Sequence, residues 1–290
     1  MTAPIIQRMT VLGPGTLGLS LAQWGAECGL DVALVGRTLD HARRGLEIIR
    51  DRWEGSVAKG RLQPEAMALA RTRLQVRAGL DEALPGTDFL VEALPESLEL
   101  KAQAWGRLGR WATAETLWAT ASSGIPVSDL RRESRFPFPI LGFHLFVPVH
   151  HRRILELVSE TEPPPARVLD LAQRLQLQVA RAPDQPGYLA SRLALLQGLE
   201  AMRMVEQGQG CPLTIDNLMT AGYGHPCGPL ELSDRVGLDL RLAIALDLFQ
   251  RTQNPAFDPP GILRQKVAQG HLGRKSGQGF YTWTTGRRAE

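Results

Sequence analysis

Gly13-Pro14-Gly15-Thr16-Leu17-Gly18 follows an apolar run at 9–12 and opens an amphipathic stretch at 16–28 that reads as a helix. A strand, a G-x-G-x-x-G turn and a helix together make a cradle for the pyrophosphate of a dinucleotide. Gly13 makes the turn, Gly15 lets a phosphate approach the backbone, and Gly18 lets helix pack on strand. Thr16 and Leu17 begin the helix, whose N–H groups and positive dipole end face the anion. The second strand, 32–35, runs into Gly36-Arg37-Thr38, where an NAD-binding chain usually carries Asp or Glu about 20 residues after the glycines. A guanidinium beside a hydroxyl, with room left by Gly36, suits the 2′-phosphate of NADP. The alternative is an NAD-binding chain in which Arg37 stacks on adenine. A second kind of chemistry is suggested by His144 and Glu156, each on or beside a short apolar segment, so that adjacent strands would set them side by side. A carboxylate on one imidazole nitrogen fixes the tautomer and makes the other nitrogen more basic, as removal of a hydroxyl proton requires. The plainer alternative is a core histidine and an unrelated surface glutamate.

These residues need a scaffold. Short apolar runs at 89–93, 117–121 and 140–143, with helical stretches such as 40–59 between them, predict a doubly wound parallel sheet covered on both faces. From 189 the strand signals fade into a helical segment rich in Leu and Met, and 182–187, punctuated by Pro and Gly, marks the change. The expected organisation is therefore an α/β dinucleotide domain at 1–183 and an all-α domain at 184–290. A chain of 290 residues suits about two domains. With 43% hydrophobic and 22% charged residues it reads as soluble and globular, and no apolar run approaches the roughly 18 residues of a membrane span. A net charge of +3 without a basic run predicts no nucleic-acid partner. Three cysteines without C-x-x-C spacing predict neither a disulfide framework nor a zinc site, which suits the cytoplasm. His150 and His151 would point to opposite faces of a strand, and His225 and Cys227 lack carboxylate company, so no metal is expected. Only four of the 33 Lys and Arg residues are lysines, which draws attention to Lys101 and Lys275 as places where a compact ammonium is wanted.

The motifs in order resemble the 3-hydroxyacyl-CoA dehydrogenases, including the 3-hydroxybutyryl-CoA dehydrogenase and lambda-crystallin-like branches. The resemblance spans nearly the whole chain: the glycine turn, Glu92-Ala93-Leu94-Pro95-Glu96 with Lys101, Ser122-Ser123-Gly124, His144-Leu145-Phe146, Leu155-Glu156-Leu157-Val158, and Gly273-Arg274-Lys275-Ser276-Gly277. It implies a Rossmann-type domain followed by a helical domain that forms a homodimer. It implies oxidation of a 3-hydroxyacyl-CoA with NAD or NADP, using His144 and Glu156 as the catalytic pair and Ser123 on the reacting oxygen. It also places Ser123, Glu96, Lys101 and Lys275 near the cofactor. Three departures stand out: Val147 and Ser191 replace the family's usual Asn, and Ala121-Ser122-Ser123-Gly124 replaces Asn-Thr-Ser-Ser. Losing amides near a reacting carbonyl removes polarising hydrogen bonds. A free 3-hydroxyacid or sugar acid as substrate, or a cofactor-binding relative with little turnover, therefore stand as alternatives.

Overall fold

The computed structural model describes residues 5–79 and 84–289. The chain forms two compact units, Met1–Tyr188 and Leu189–Glu290. The first holds eight strands: β1 (Arg8–Leu12), β2 (Asp31–Gly36), β3 (Leu74–Ala78), β4 (Phe89–Glu92), β5 (Leu117–Thr120), β6 (Ile140–Leu145), β7 (Ile154–Val158) and β8 (Gln178–Ala182). They lie in the order β3-β2-β1-β4-β5-β6-β7-β8. Among the described residues, six α-helices cover them: α1 (Thr16–Glu27), α2 (Leu39–Ala58), α3 (Pro64–Arg73), α4 (Leu98–Leu108), α5 (Val127–Ser134) and α6 (Ala166–Arg174).

Strand side chains alternate between faces, and that period divides the core in two. Val11, Leu34, Phe89 and Val91 pack with α1, α2, α3 and α6, whereas Leu12, Val35 and Leu90 pack with α4 and α5. β1 to β6 run parallel, so their C-terminal ends line one edge of the sheet, where ligands of such folds bind. The sheet is not wholly parallel, as the alternation of runs predicted. β7 runs antiparallel to β6, because the connection 146–153 is shorter than the dozen or so residues a parallel crossover needs. β3 and β8 lie at the two edges and carry mixed rather than continuous burial, so they give no apolar run to read.

The Pro/Gly stretch after β8 is pinned to the first unit. Asp184 accepts hydrogen bonds from the Val127 and Ser128 amides at 2.7 and 3.0 Å, capping α5 from a distant part of the chain. Gly187 N–H donates to the Gly124 carbonyl at 2.8 Å.

The second unit contains α7 (Ala190–Glu206), α8 (Pro212–Asn217), α9 (Pro229–Val236), α10 (Leu238–Thr252) and α11 (Gly261–Ala268). It is not purely helical: β9 (Trp283–Thr284) and β10 (Arg287–Arg288) form a small antiparallel ribbon. The buried Asp234 organises the end of the chain, accepting from the Phe280 and Tyr281 amides and from the Trp283 indole, each at 2.9 Å.

The Asp184 cap gives a stability prediction. Replacing Asp184 by Ala leaves two α5 N–H groups without their acceptor and should lower unfolding stability by about 1–2 kcal/mol. Equilibrium urea denaturation measures it, and an unchanged midpoint would show that water caps α5 equally well.

Candidate active site

The glycine turn begins where β1 ends. Gly13 has φ +112°, a conformation open to glycine, and its N–H bonds the Val35 carbonyl at 2.9 Å. A Cβ on Gly18 would stand 1.9 Å from the Gly13 carbonyl oxygen, so the third glycine is required by helix–turn packing. A Cβ on Gly15 would meet nothing within 4 Å. Gly15 is the N-cap of α1 with no side-chain cap, so the N–H groups of Thr16 and Leu17 begin the helix at an uncovered face. A turn that is tight on one side, open on the other and headed by free N–H groups fits a dinucleotide pyrophosphate.

At the end of β2, Gly36 is held close to the start of the next helix: a Cβ there would lie 2.8 Å from the Ala42 amide and 2.9 Å from the Thr38 carbonyl. The glycine is needed because α2 begins against it. Thr38 is the N-cap of that helix, its hydroxyl accepting from the His41 amide at 3.2 Å. Arg37 is exposed, and no described residue pairs with it.

Glu92, Glu96, Lys101 and Ser123 form one network. Glu92 closes β4 and is fully buried. Its carboxylate accepts from the Leu94 amide (2.6 Å), Lys101 (2.8 Å), the Trp105 indole (3.2 Å) and the Thr120 hydroxyl (2.8 Å). Lys101 is 1% exposed. Beyond Glu92, its ammonium reaches the Leu94 carbonyl at 3.1 Å and Glu96 at 3.7 Å. Its ammonium is thus enclosed by Glu92, the Leu94 carbonyl and Glu96. Glu96 takes the Ser122 hydroxyl at 2.6 Å, the Ser123 amide at 2.9 Å and the Ser123 hydroxyl at 3.3 Å. Ser122 also accepts from the Ile125 amide at 2.9 Å, the capping work expected of a turn serine. Glu92 carried a signal that sequence reading passed over: a lone carboxylate at the end of an otherwise apolar strand must be buried with its partners.

His144 and Glu156 face each other across β6 and β7, in direct register. His144 Nδ1 and Glu156 Oε2 are 2.7 Å apart, and the residues are 7% and 3% exposed. Ionised Glu156 accepts only, so Nδ1 carries the proton. Nε2, without a hydrogen-bond partner among the described residues, keeps its lone pair. Phe146 packs on the imidazole with ring centroids 4.7 Å apart, and Tyr188 lies at 6.4 Å. Tyr188 donates to the Ile125 carbonyl at 2.6 Å, and burial pushes its hydroxyl well above the ordinary tyrosine pKa.

Beyond β6, Val147, Pro148 and His150 line one side of a cavity of about 550 Å³ whose other walls are Ser20 and Gln23 of α1 and the 48–61 segment. Arg52, Lys59 and Arg61 make its lining basic, against the single carboxylate of Asp51. Burial, then the neighbouring His151, lowers the pKa of His150. The two histidines sit in a turn with ring centroids 4.2 Å apart, not on opposite faces of a strand. Among the described residues, no cluster of three or more His, Cys, Asp or Glu side chains could hold a metal. In the second unit Lys275 pairs with Asp239 of α10 at 2.5 Å.

Comparison with known proteins bears on what this site is. Residues 8–183 match the family described as 3-hydroxyacyl-CoA dehydrogenase, NAD binding domain, and residues 187–283 match its C-terminal domain. The chain belongs to the 3-hydroxyacyl-CoA dehydrogenase family. It is 32% identical over 283 residues to 3-hydroxybutyryl-CoA dehydrogenase of Mycobacterium tuberculosis, covering 96% of this chain and 99% of that one. It is 29% identical to the mitochondrial hydroxyacyl-coenzyme A dehydrogenase of Sus scrofa, covering 96% and 92%. Among solved structures, (S)-3-hydroxybutyryl-CoA dehydrogenase of Ralstonia eutropha superposes with a TM-score of 0.89 at 27% identity, covering 97% of this chain and all of that one. Membership in this family makes the chain an NAD(P)-dependent oxidoreductase.

The unequal surroundings of the two glycines can be tested. Gly15→Ala should unfold within about 0.5 kcal/mol of wild type. It should nevertheless bind dinucleotide roughly tenfold more weakly, the equivalent of one charge-assisted hydrogen bond. Gly18→Ala should lose about 1–3 kcal/mol of stability through overpacking. Thermal unfolding and calorimetric titration separate the two, and unchanged affinity in Gly15→Ala would mean that no phosphate sits there.

Proposed function

We propose that this protein catalyses the reversible oxidation of a 3-hydroxyacyl-CoA to the 3-oxoacyl-CoA. The observation that carries the reading is the His144–Glu156 pair, whose unpartnered Nε2 is the one imidazole nitrogen able to accept a proton. Glu156 holds the Nδ1 proton, fixes the ring, and stabilises the imidazolium that forms when Nε2 takes the substrate hydroxyl proton. Ser123 hydrogen-bonds the reacting oxygen. A bound nicotinamide supplies the acceptor for the hydride leaving C3, so that loss of H⁺ and H⁻ leaves the C=O. Residues 1–183 hold the dinucleotide through Gly13, Gly15, Thr16, Leu17 and Gly18, with Gly36, Arg37 and Thr38 at its adenosine end and Glu96 near Ser123. Residues 184–290 supply substrate and homodimer contacts, and Lys275, half exposed beside Asp239, keeps donors for the cofactor. The basic cavity lined by Arg52, Lys59 and Arg61 suits the phosphates of CoA, which favours a thioester substrate over a free hydroxyacid. Three unpaired cysteines suit a reducing cytoplasm.

The test is dehydrogenation of 3-hydroxybutyryl-CoA compared with free 3-hydroxybutyrate, followed by cofactor absorbance. Turnover of the thioester alone is expected; preference for the free acid would transfer the role to the alternative substrate class. His144→Gln should lower kcat about 10²- to 10⁴-fold with cofactor affinity retained. Glu156→Gln should cost less, since it acts through the histidine. Full turnover in His144→Gln would remove the histidine from the mechanism.

We further propose that the preferred cofactor is NADP, with Arg37 as the residue that grips the 2′-phosphate. Its exposure, its freedom from other partners and the lack of an acid at the end of β2 support this. Arg37→Leu should weaken NADP binding roughly tenfold to a hundredfold and leave NAD binding within about twofold. Calorimetric titration with both dinucleotides measures this, and equal loss for the two would assign Arg37 to adenine stacking.

A further inference from the structure

Two carboxylates and one ammonium cluster behind Ser123, Glu92 and Lys101 buried and Glu96 exposed, and their distances are unequal. Lys101 stands 2.8 Å from Glu92 but 3.7 Å from Glu96. Glu92 is locked by three other donors, the Leu94 amide, Trp105 and Thr120, so it holds the ammonium at the far side of the cluster. Glu96 is thereby left with only the longer contact, at its Oε2, while its Oε1 serves the Ser122 hydroxyl and both donors of Ser123. A charged carboxylate bonded to an ammonium is a weaker acceptor for other donors, because the same lone pairs and charge are shared.

We infer that Glu92 is a positioning residue: by holding Lys101 away from Glu96, it keeps that carboxylate turned toward Ser123 and so sets the direction of the serine hydroxyl. This rests on the reading of Ser123 as the group that meets the reacting oxygen. Glu92 touches neither substrate nor cofactor in this scheme, and its influence passes through Lys101 and Glu96. With Glu92 neutralised, the nearest carboxylate left for the ammonium is Glu96, and closing that gap draws Glu96 away from the 122–123 turn.

The experiment compares Glu92→Gln, Lys101→Met and the double variant as full-length protein, reading kcat and the proton shift of the Ser123 amide in the ligand-free state. A hydrogen bond to a carboxylate moves that proton downfield, and the reading does not depend on turnover. Glu92→Gln should move the Ser123 proton upfield and lower kcat roughly tenfold, the equivalent of one hydrogen bond in the transition state. Removing Lys101 as well takes away the competing cation, so the double variant should regain the wild-type shift and turn over faster than Glu92→Gln. A purely structural role predicts the opposite order, with the double variant the slowest. A double variant no faster than Glu92→Gln, or a Ser123 shift unmoved by Glu92→Gln, overturns the inference. Should Glu92→Gln fail to fold, the double variant, which buries no charge at these positions, carries the test: loss of the wild-type Ser123 shift there overturns it. An inactive wild type with this pattern of shifts would instead count against the proposed reaction alone.

Discussion

The reversal of direction between β6 and β7 is the constraint on which the His144–Glu156 pair depends. An antiparallel ladder sets residues directly opposite each other, and the register here pairs His144 with Glu156. A one-residue slip would send one side chain to the other face of the sheet. The neighbouring register pairs, Phe143 with Leu157 and Leu145 with Leu155, are buried, so the hydrophobic core enforces the alignment of the polar pair between them. Sheet packing therefore sets the histidine opposite its carboxylate, and the contact with Glu156 then fixes the ring.

Around it, the parallel part of the sheet supplies the remaining groups from the ends of its strands. Gly13 follows β1, Gly36 ends β2, Glu92 ends β4, and Ser123 lies three residues beyond β5. Three devices hold them: close packing at Gly18 and Gly36, a saturated buried carboxylate at Glu92, and the Asp184 cap on the helix that follows Ser123. Loops of that length, anchored at both ends, place side chains without a large loss of order on binding.

Charge is distributed to match. Glu92 and Lys101 are buried together, where removing one partner costs far more than the pair contributes in isolation. The cations left toward solvent include Arg37 at the end of β2 and Arg52, Lys59 and Arg61 around the cavity. Exposed ion pairs such as Arg44–Asp40 contribute little by comparison.

Local features of the chain were enough to read the glycine turn, the alternation of strand and helix in the first half, and the helical second half. Each depends on residues close in sequence: φ-permissive glycines after an apolar run, and periodicities of two and 3.6. His144 and Glu156 were legible as candidates because both sit in apolar segments, but only the antiparallel register brings their atoms to 2.7 Å. The sequence position of Lys101 gave no sign that Glu92 and Leu94 enclose it, since those contacts form only when α4 packs beside the end of β4. The close approach that requires glycine at position 36 was not legible, because the neighbour that excludes a side chain, Ala42, belongs to the next helix. The edge strands β3 and β8 escaped notice, since an edge strand is half solvated and shows no continuous apolar run. Periodicity and turn chemistry are written in neighbouring residues, whereas register, enclosure and close approach are properties of pairs of segments and exist only once the sheet has assembled.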